Sequence, residues 1–120
     1  MNAMTTFKAV CALLVMTALP GVARDTPASD APPPKSAKVY QIAIRNFAFE
    51  PSTLMVPIGA YVVWTNRDEE PHVVSSAGAL FASSRALDTG DSHTVTFSKA
   101  GTYTYFCSIH PMMVGTVIVK

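Results

Sequence analysis

The stretch that most limits how this chain can fold is Cys107-Ser108-Ile109-His110-Pro111-Met112-Met113. It sets a thiolate, an imidazole and a thioether at equal short intervals, in Cys107, His110 and Met113. A second imidazole is available far upstream, at His72 in Glu70-Pro71-His72-Val73. Two His and one Cys in a trigonal plane, with a weak axial Met, form the ligand set of a copper site that transfers electrons. Taken singly these residues are ordinary, since buried Cys and Met usually serve as packing. Their order, His then Cys-x-x-His-x-x-Met, lying between a strand pattern and the last strand, is what makes the reading specific. Any fold that satisfies it must bring two distant stretches to one pole.

Not all of the 120 residues belong to that fold. Lys8 closes a short basic start, Ala9 to Leu19 is an apolar run containing Cys11, and Pro20 breaks it. Gly21-Val22-Ala23 then offers small residues for a cleavage site. The run is too short to span a membrane, and its position marks a secretory signal peptide over residues 1–23. Cys11 opens the apolar run and does not follow it, which argues against lipid attachment. Residues 24–38 are rich in Pro, Ala and Ser, with Pro32-Pro33-Pro34 at the centre, and read as an extended, solvated tether. The folded domain is 39–120. With the signal removed, Cys107 is the only cysteine. An odd thiol in an oxidising compartment is either reactive or occupied, and a metal would occupy it.

Of the nine Lys and Arg, one, Lys8, lies in the signal, leaving eight against eight Asp and Glu. A balanced charge gives no basic footprint for nucleic acid and no polybasic membrane patch.

From Val39 the chain alternates with period two. Ile42 and Ile44 mark an inward face, with Tyr40 at its margin. Thr53 to Val56 is a short strand ended by Pro57 and Gly59, and Tyr61 to Asn66 is the strongest strand, rich in aromatic and β-branched residues. Arg67 to Pro71 reads as a charged turn, His72 to Ser75 as a further strand, and Arg85 to Leu87 as one short strand in an otherwise irregular stretch. In Ser92 to Phe97, Val95 and Phe97 point inward and His93 shares their face. Thr102 to Cys107 runs back with Tyr103, Tyr105 and Cys107 on one face, and Thr116 to Val119 closes the chain. Roughly seven to eight short strands without a helix point to an all-β antiparallel sandwich filled by Trp64, Phe97, Tyr103 and Tyr105.

These residues resemble the cupredoxins, the small blue copper proteins, and within them the amicyanin and plastocyanin-like group. The resemblance covers 39–120 through Phe47-x-Phe49-x-Pro51, Val63-Trp64-x-Asn66, Pro71-His72, Gly101-Thr102-Tyr103-x-Tyr105-x-Cys107 and Cys107-x-x-His110-Pro111-x-Met113-x-Gly115. It implies a Greek-key topology for the β-sandwich and one type 1 copper ion, with His72, Cys107 and His110 as strong in-plane ligands and Met113 as the long axial one. It further implies one-electron transfer outside the cytoplasm, in the periplasm. The partners would be soluble or membrane-bound redox proteins of cytochrome or dehydrogenase type, with His110 as the electron port. The protein would be a monomer and not an enzyme, because the four ligands fill the metal's good positions. One departure stands out: Val73 occupies the place where the group commonly carries an Asn that ties the two ligand loops together.

Two other functions use the same donors. A copper trafficking or storage protein would hold the ion without passing electrons, and a structural zinc module would prefer His, Cys or carboxylate in the place of Met113. Around the ligands, Met112 reads equally as part of an apolar docking patch with Pro111 and as loop packing. Asp68, Glu69 and Glu70 read first as a solvated turn and second as a steering patch for a positively charged partner. Tyr103 and Tyr105 read as core residues with bonded hydroxyls.

Overall fold

The structure, a computed structural model, describes residues 37–120. The expected signal peptide, 1–23, and all but the last two residues of the expected tether, 24–38, lie outside the described residues. Eight strands follow in order: β1 Val39–Arg45, β2 Ala48–Glu50, β3 Thr53–Val56, β4 Ala60–Asn66, β5 Ser75–Ser76, β6 Ser92–Phe97, β7 Gly101–Phe106 and β8 Val114–Val119. One 3-10 turn, Ala77–Ala79, follows β5.

The strands form two four-stranded sheets, β2-β1-β4-β6 and β3-β8-β7-β5. This is the sandwich expected from the period-two pattern. Its pairing is mixed: β1 runs parallel to β4, and β3 parallel to β8. After the β1–β2 hairpin the chain crosses to the other sheet as β3 and returns as β4, so β1 and β4 travel the same way.

The two inner faces bury Ile42, Ile44, Phe49, Val62, Trp64, Val95, Phe97, Tyr105 and Val117. Trp64 sits at the centre, edge-on to Tyr105 at 5.3 Å and stacked on Phe81 at 5.8 Å. Tyr103 lies at the margin of this cluster, half-buried, while Phe49 is inside it. His93 follows the parity of β6 into the core, where its Nε2 bonds the Ala82 carbonyl at 2.8 Å. Tyr103 donates its hydroxyl to the Lys99 carbonyl at 2.7 Å, as expected. Tyr105 does not follow the expectation: its hydroxyl and the indole nitrogen of Trp64 are buried without a hydrogen-bond partner of good geometry.

Two expected strands are absent. His72 makes an isolated bridge with Leu87, and pairing resumes only at Ser75–Ser76. The reason is local. The Val74 N–H is taken by the Ser84 hydroxyl at 2.8 Å and the Ser76 N–H by the Ser83 hydroxyl at 3.0 Å, so side chains replace a strand partner.

Candidate metal centre

One pole of the sandwich collects the expected ligands. β7 delivers Cys107 at its end, by the alternation that also buries Tyr105. The chain then loops back to β8, and the loop is tied to itself. The Cys107 N–H donates to the Met113 carbonyl at 3.0 Å, and the Met113 N–H to the His110 carbonyl at 2.9 Å. Pro111 fixes one φ inside this short span. His72 arrives from the other sheet's return, held by paired backbone bonds with Leu87 of 3.1 and 2.7 Å.

His72 and Cys107 are fully buried, Met113 is nearly so, and His110 is half-buried. One ligand atom from each of His72, Cys107 and His110 lies within 4.8 Å of the others. Cys107 Sγ stands 3.9 Å from His72 Nδ1 and 3.8 Å from His110 Nδ1. An ion with bonds of about 2.3 Å to sulfur and about 2.05 Å to nitrogen at a trigonal angle needs an S···N separation of about 3.8 Å. A tetrahedral angle needs about 3.6 Å, so the spacing fits the trigonal arrangement better. Met113 lines a surface cavity together with Phe47, His110, Pro111 and Met112.

The hydrogen bonds around the donors leave their lone pairs facing inward. His72 Nε2 bonds Asp68 Oδ2 at 2.8 Å, which puts the ring proton on Nε2 and leaves Nδ1 free. The Val73 N–H donates to Cys107 Sγ at 3.3 Å. The main chain at Val73 thus links the two ligand segments, although the side chain expected to do so is missing.

Asp68 is the residue that the sequence reading misplaced. Its neighbours Glu69 and Glu70 are exposed, but Asp68 turns inward. Besides His72 it accepts the N–H of Asn46 at 2.7 Å and that of Phe47 at 2.9 Å. Burial raises its pKa, but the Phe47 N–H, the His72 ring and the Asn46 N–H outweigh that, holding the carboxyl below its ordinary value. Asn66 braces the same turn: its side-chain amide donates to the Glu70 and Leu87 carbonyls, each at 2.8 Å, and its oxygen accepts the Asp68 N–H at 2.9 Å.

Phe47 is the second residue missed. It and Asn46 form the β1–β2 turn with φ of 56° and 52°. A non-glycine residue in this region costs roughly 1–2 kcal/mol. The Phe47 ring meets His72 edge-on at 5.3 Å and His110 edge-on at 5.1 Å.

A cupredoxin-like domain family matches residues 9–119. The chain belongs to the cupredoxin family. This cupredoxin is 32% identical over 83 residues to amicyanin from Paracoccus denitrificans, a match that covers 66% of this chain and 63% of that protein's length. Among solved structures it resembles a novel purple cupredoxin from Nitrosopumilus maritimus, with a TM-score of 0.63, 34% identity and coverage of 68% of this chain and 99% of that one. It also resembles a Cu(I) form of a mutant amicyanin, with a TM-score of 0.66, 32% identity and coverage of 71% of this chain and 85% of that one. The family's fold and a cluster of one cysteine sulfur and two imidazoles at one pole therefore coincide in this cupredoxin.

Met112 is 97% exposed, which excludes loop packing as its role. With Phe47, which is half exposed, and Pro111 it lines the apolar surface cavity at His110.

Proposed function

We propose that this cupredoxin is a one-electron carrier holding a single copper ion through His72 Nδ1, Cys107 Sγ and His110 Nδ1, with Met113 as a weak fourth donor. The convergence of one thiol and two imidazoles at trigonal spacing carries the reading. The bound ion supplies the Cu(I)/Cu(II) couple. The chain supplies a frame that changes little between the two charges. Cys107 and Met113 are cross-linked through the backbone of their loop, and His72 is fixed by Asp68. Burial of Cys107 and His72 keeps water from the ion, and the half-buried His110 with its apolar surround is where electrons enter and leave.

Residues 1–23 are a cleaved signal and 24–38 a tether, which places the domain 39–120 in the periplasm. It exchanges electrons there with cytochrome- or dehydrogenase-type partners, as a monomer and without turning over a substrate.

The test is voltammetry of the copper-loaded protein together with incubation against a copper-free acceptor protein. A reversible one-electron wave with copper retained supports the carrier. Transfer of the copper to the acceptor without a reversible wave supports trafficking and overturns the proposal.

A further inference from the structure

We propose that Phe47 is a positioning residue: its ring, set by a strained turn that Asp68 clamps, wedges against both imidazoles and holds His110 in place. This rests on the copper reading of the site and extends it to a residue outside the ligand set.

The two imidazoles are supported unequally. His72 is buried and oriented through Nε2 by Asp68. His110 sits in the loop, half-buried, and among the described residues the one hydrogen-bond contact of its ring is Nδ1 toward Cys107 Sγ. Among the described residues no carboxylate or carbonyl is bonded to its far nitrogen. What fixes its plane is ring packing: Phe47 at 87° and 5.1 Å, and His72 at 62° and 5.1 Å.

The placement of Phe47 is itself over-determined. A two-residue hairpin turn with positive φ at both positions is ordinarily built from Asn and Gly. Here the second place is a phenylalanine at φ 56°, half exposed. The turn is not held by its own strands alone. The two N–H groups of Asn46 and Phe47 are captured by one carboxylate more than twenty positions later. The same Oδ2 that accepts the Phe47 N–H accepts the His72 ring N–H, so one oxygen sets both the ring that is clamped and the ring that clamps. A strained, partly exposed aromatic residue kept where it touches both imidazoles is a functional placement.

The experiment reads the histidines in the metal-free full-length protein by NMR of the imidazole carbons and nitrogens, then reads the copper-loaded protein by electron self-exchange. In Phe47→Gly, which relaxes the turn and removes the ring, His110 resonances broaden by about twofold or more while those of β1, β4, β7 and β8 stay in place. Self-exchange falls roughly tenfold. Phe47→Tyr keeps wild-type line widths. Adding Phe47→Gly to Asp68→Ala broadens His110 by less than about twofold further, because the clamp and the ring act as one unit. Phe47→Leu, which keeps apolar bulk, serves if the glycine variant does not fold. Unchanged His110 line widths in Phe47→Gly or Phe47→Leu, or full additivity with Asp68→Ala, overturn the proposal. A wild-type protein that takes up no copper sinks the copper reading, while the metal-free His110 comparison still decides the role of Phe47.

Discussion

Replacing Tyr105 by Phe isolates one buried hydroxyl, and its effect can be worked from the structure. Burial pushes the Tyr105 phenol from 10.0 up to about 12, the nearby indole of Trp64 offsetting part of the rise. A folded-state pKa raised above the unfolded one means that the folded state holds its proton longer. Stability from this group is full below pH 10 and is lost as pH rises from there toward the folded value. One unit above the unfolded pKa, the unfolded chain gains about 1.4 kcal/mol by ionising while the folded protein gains almost nothing. Tyr105→Phe removes that difference and nothing else that titrates. The assay is urea unfolding of the metal-free wild type and the variant at neutral pH and near pH 11. Whatever the offset at neutral pH, the variant should gain about 1.4 kcal/mol on the wild type between the two conditions. A gap that stays constant to within about 0.3 kcal/mol would refute the claim that the phenol is shielded from water.

Gly115 faces Tyr105 across the β7–β8 pair, and a methyl group there would run into the Tyr105 ring. Gly115→Ala should therefore cost about 1–3 kcal/mol by overpacking, read as a fall in thermal midpoint of roughly 4–8 °C per kcal/mol. Asn66→Ala removes three hydrogen bonds made by a buried side chain to the turn that leads to His72 and to Leu87. A loss of about 2–4 kcal/mol in urea unfolding, with weaker copper retention, is the expected result. Cys107→Ser removes the thiolate from the donor set, and the copper(II)-loaded variant should lack the intense visible absorption of the wild type.

Much of the fold is written in alternation. β6 and β7 carry their inward residues at every second place, and the structure buries His93, Val95, Phe97, Tyr105 and Cys107 in that register. The cluster of His72, Cys107 and His110 was legible because Cys107 and His110 share one short loop, and because His72 follows a proline just after the strongest strand. Between 67 and 91 the chain was harder to read. Apart from the two-residue β5 and the His72–Leu87 bridge, much of its backbone is bonded by the Ser76, Ser83, Ser84 and Asn66 side chains in place of a regular strand partner. Such bonds leave no periodic trace. Asp68 looked like its exposed neighbours because its partners, Asn46 and Phe47, are distant in sequence. The spacing of Asp68 four residues before His72 was the available signal. Phe47 gave no turn signal, since a carboxylate from elsewhere and not a glycine stabilises its conformation.

The most direct test of the metal centre is anomalous diffraction at the copper edge from crystals of the copper-loaded protein. One copper peak should lie about 2.0–2.3 Å from His72 Nδ1, His110 Nδ1 and Cys107 Sγ, with Asp68 still bonded to His72 Nε2. A peak bound through His72 Nε2, or one that leaves Cys107 out of its coordination, would contradict it.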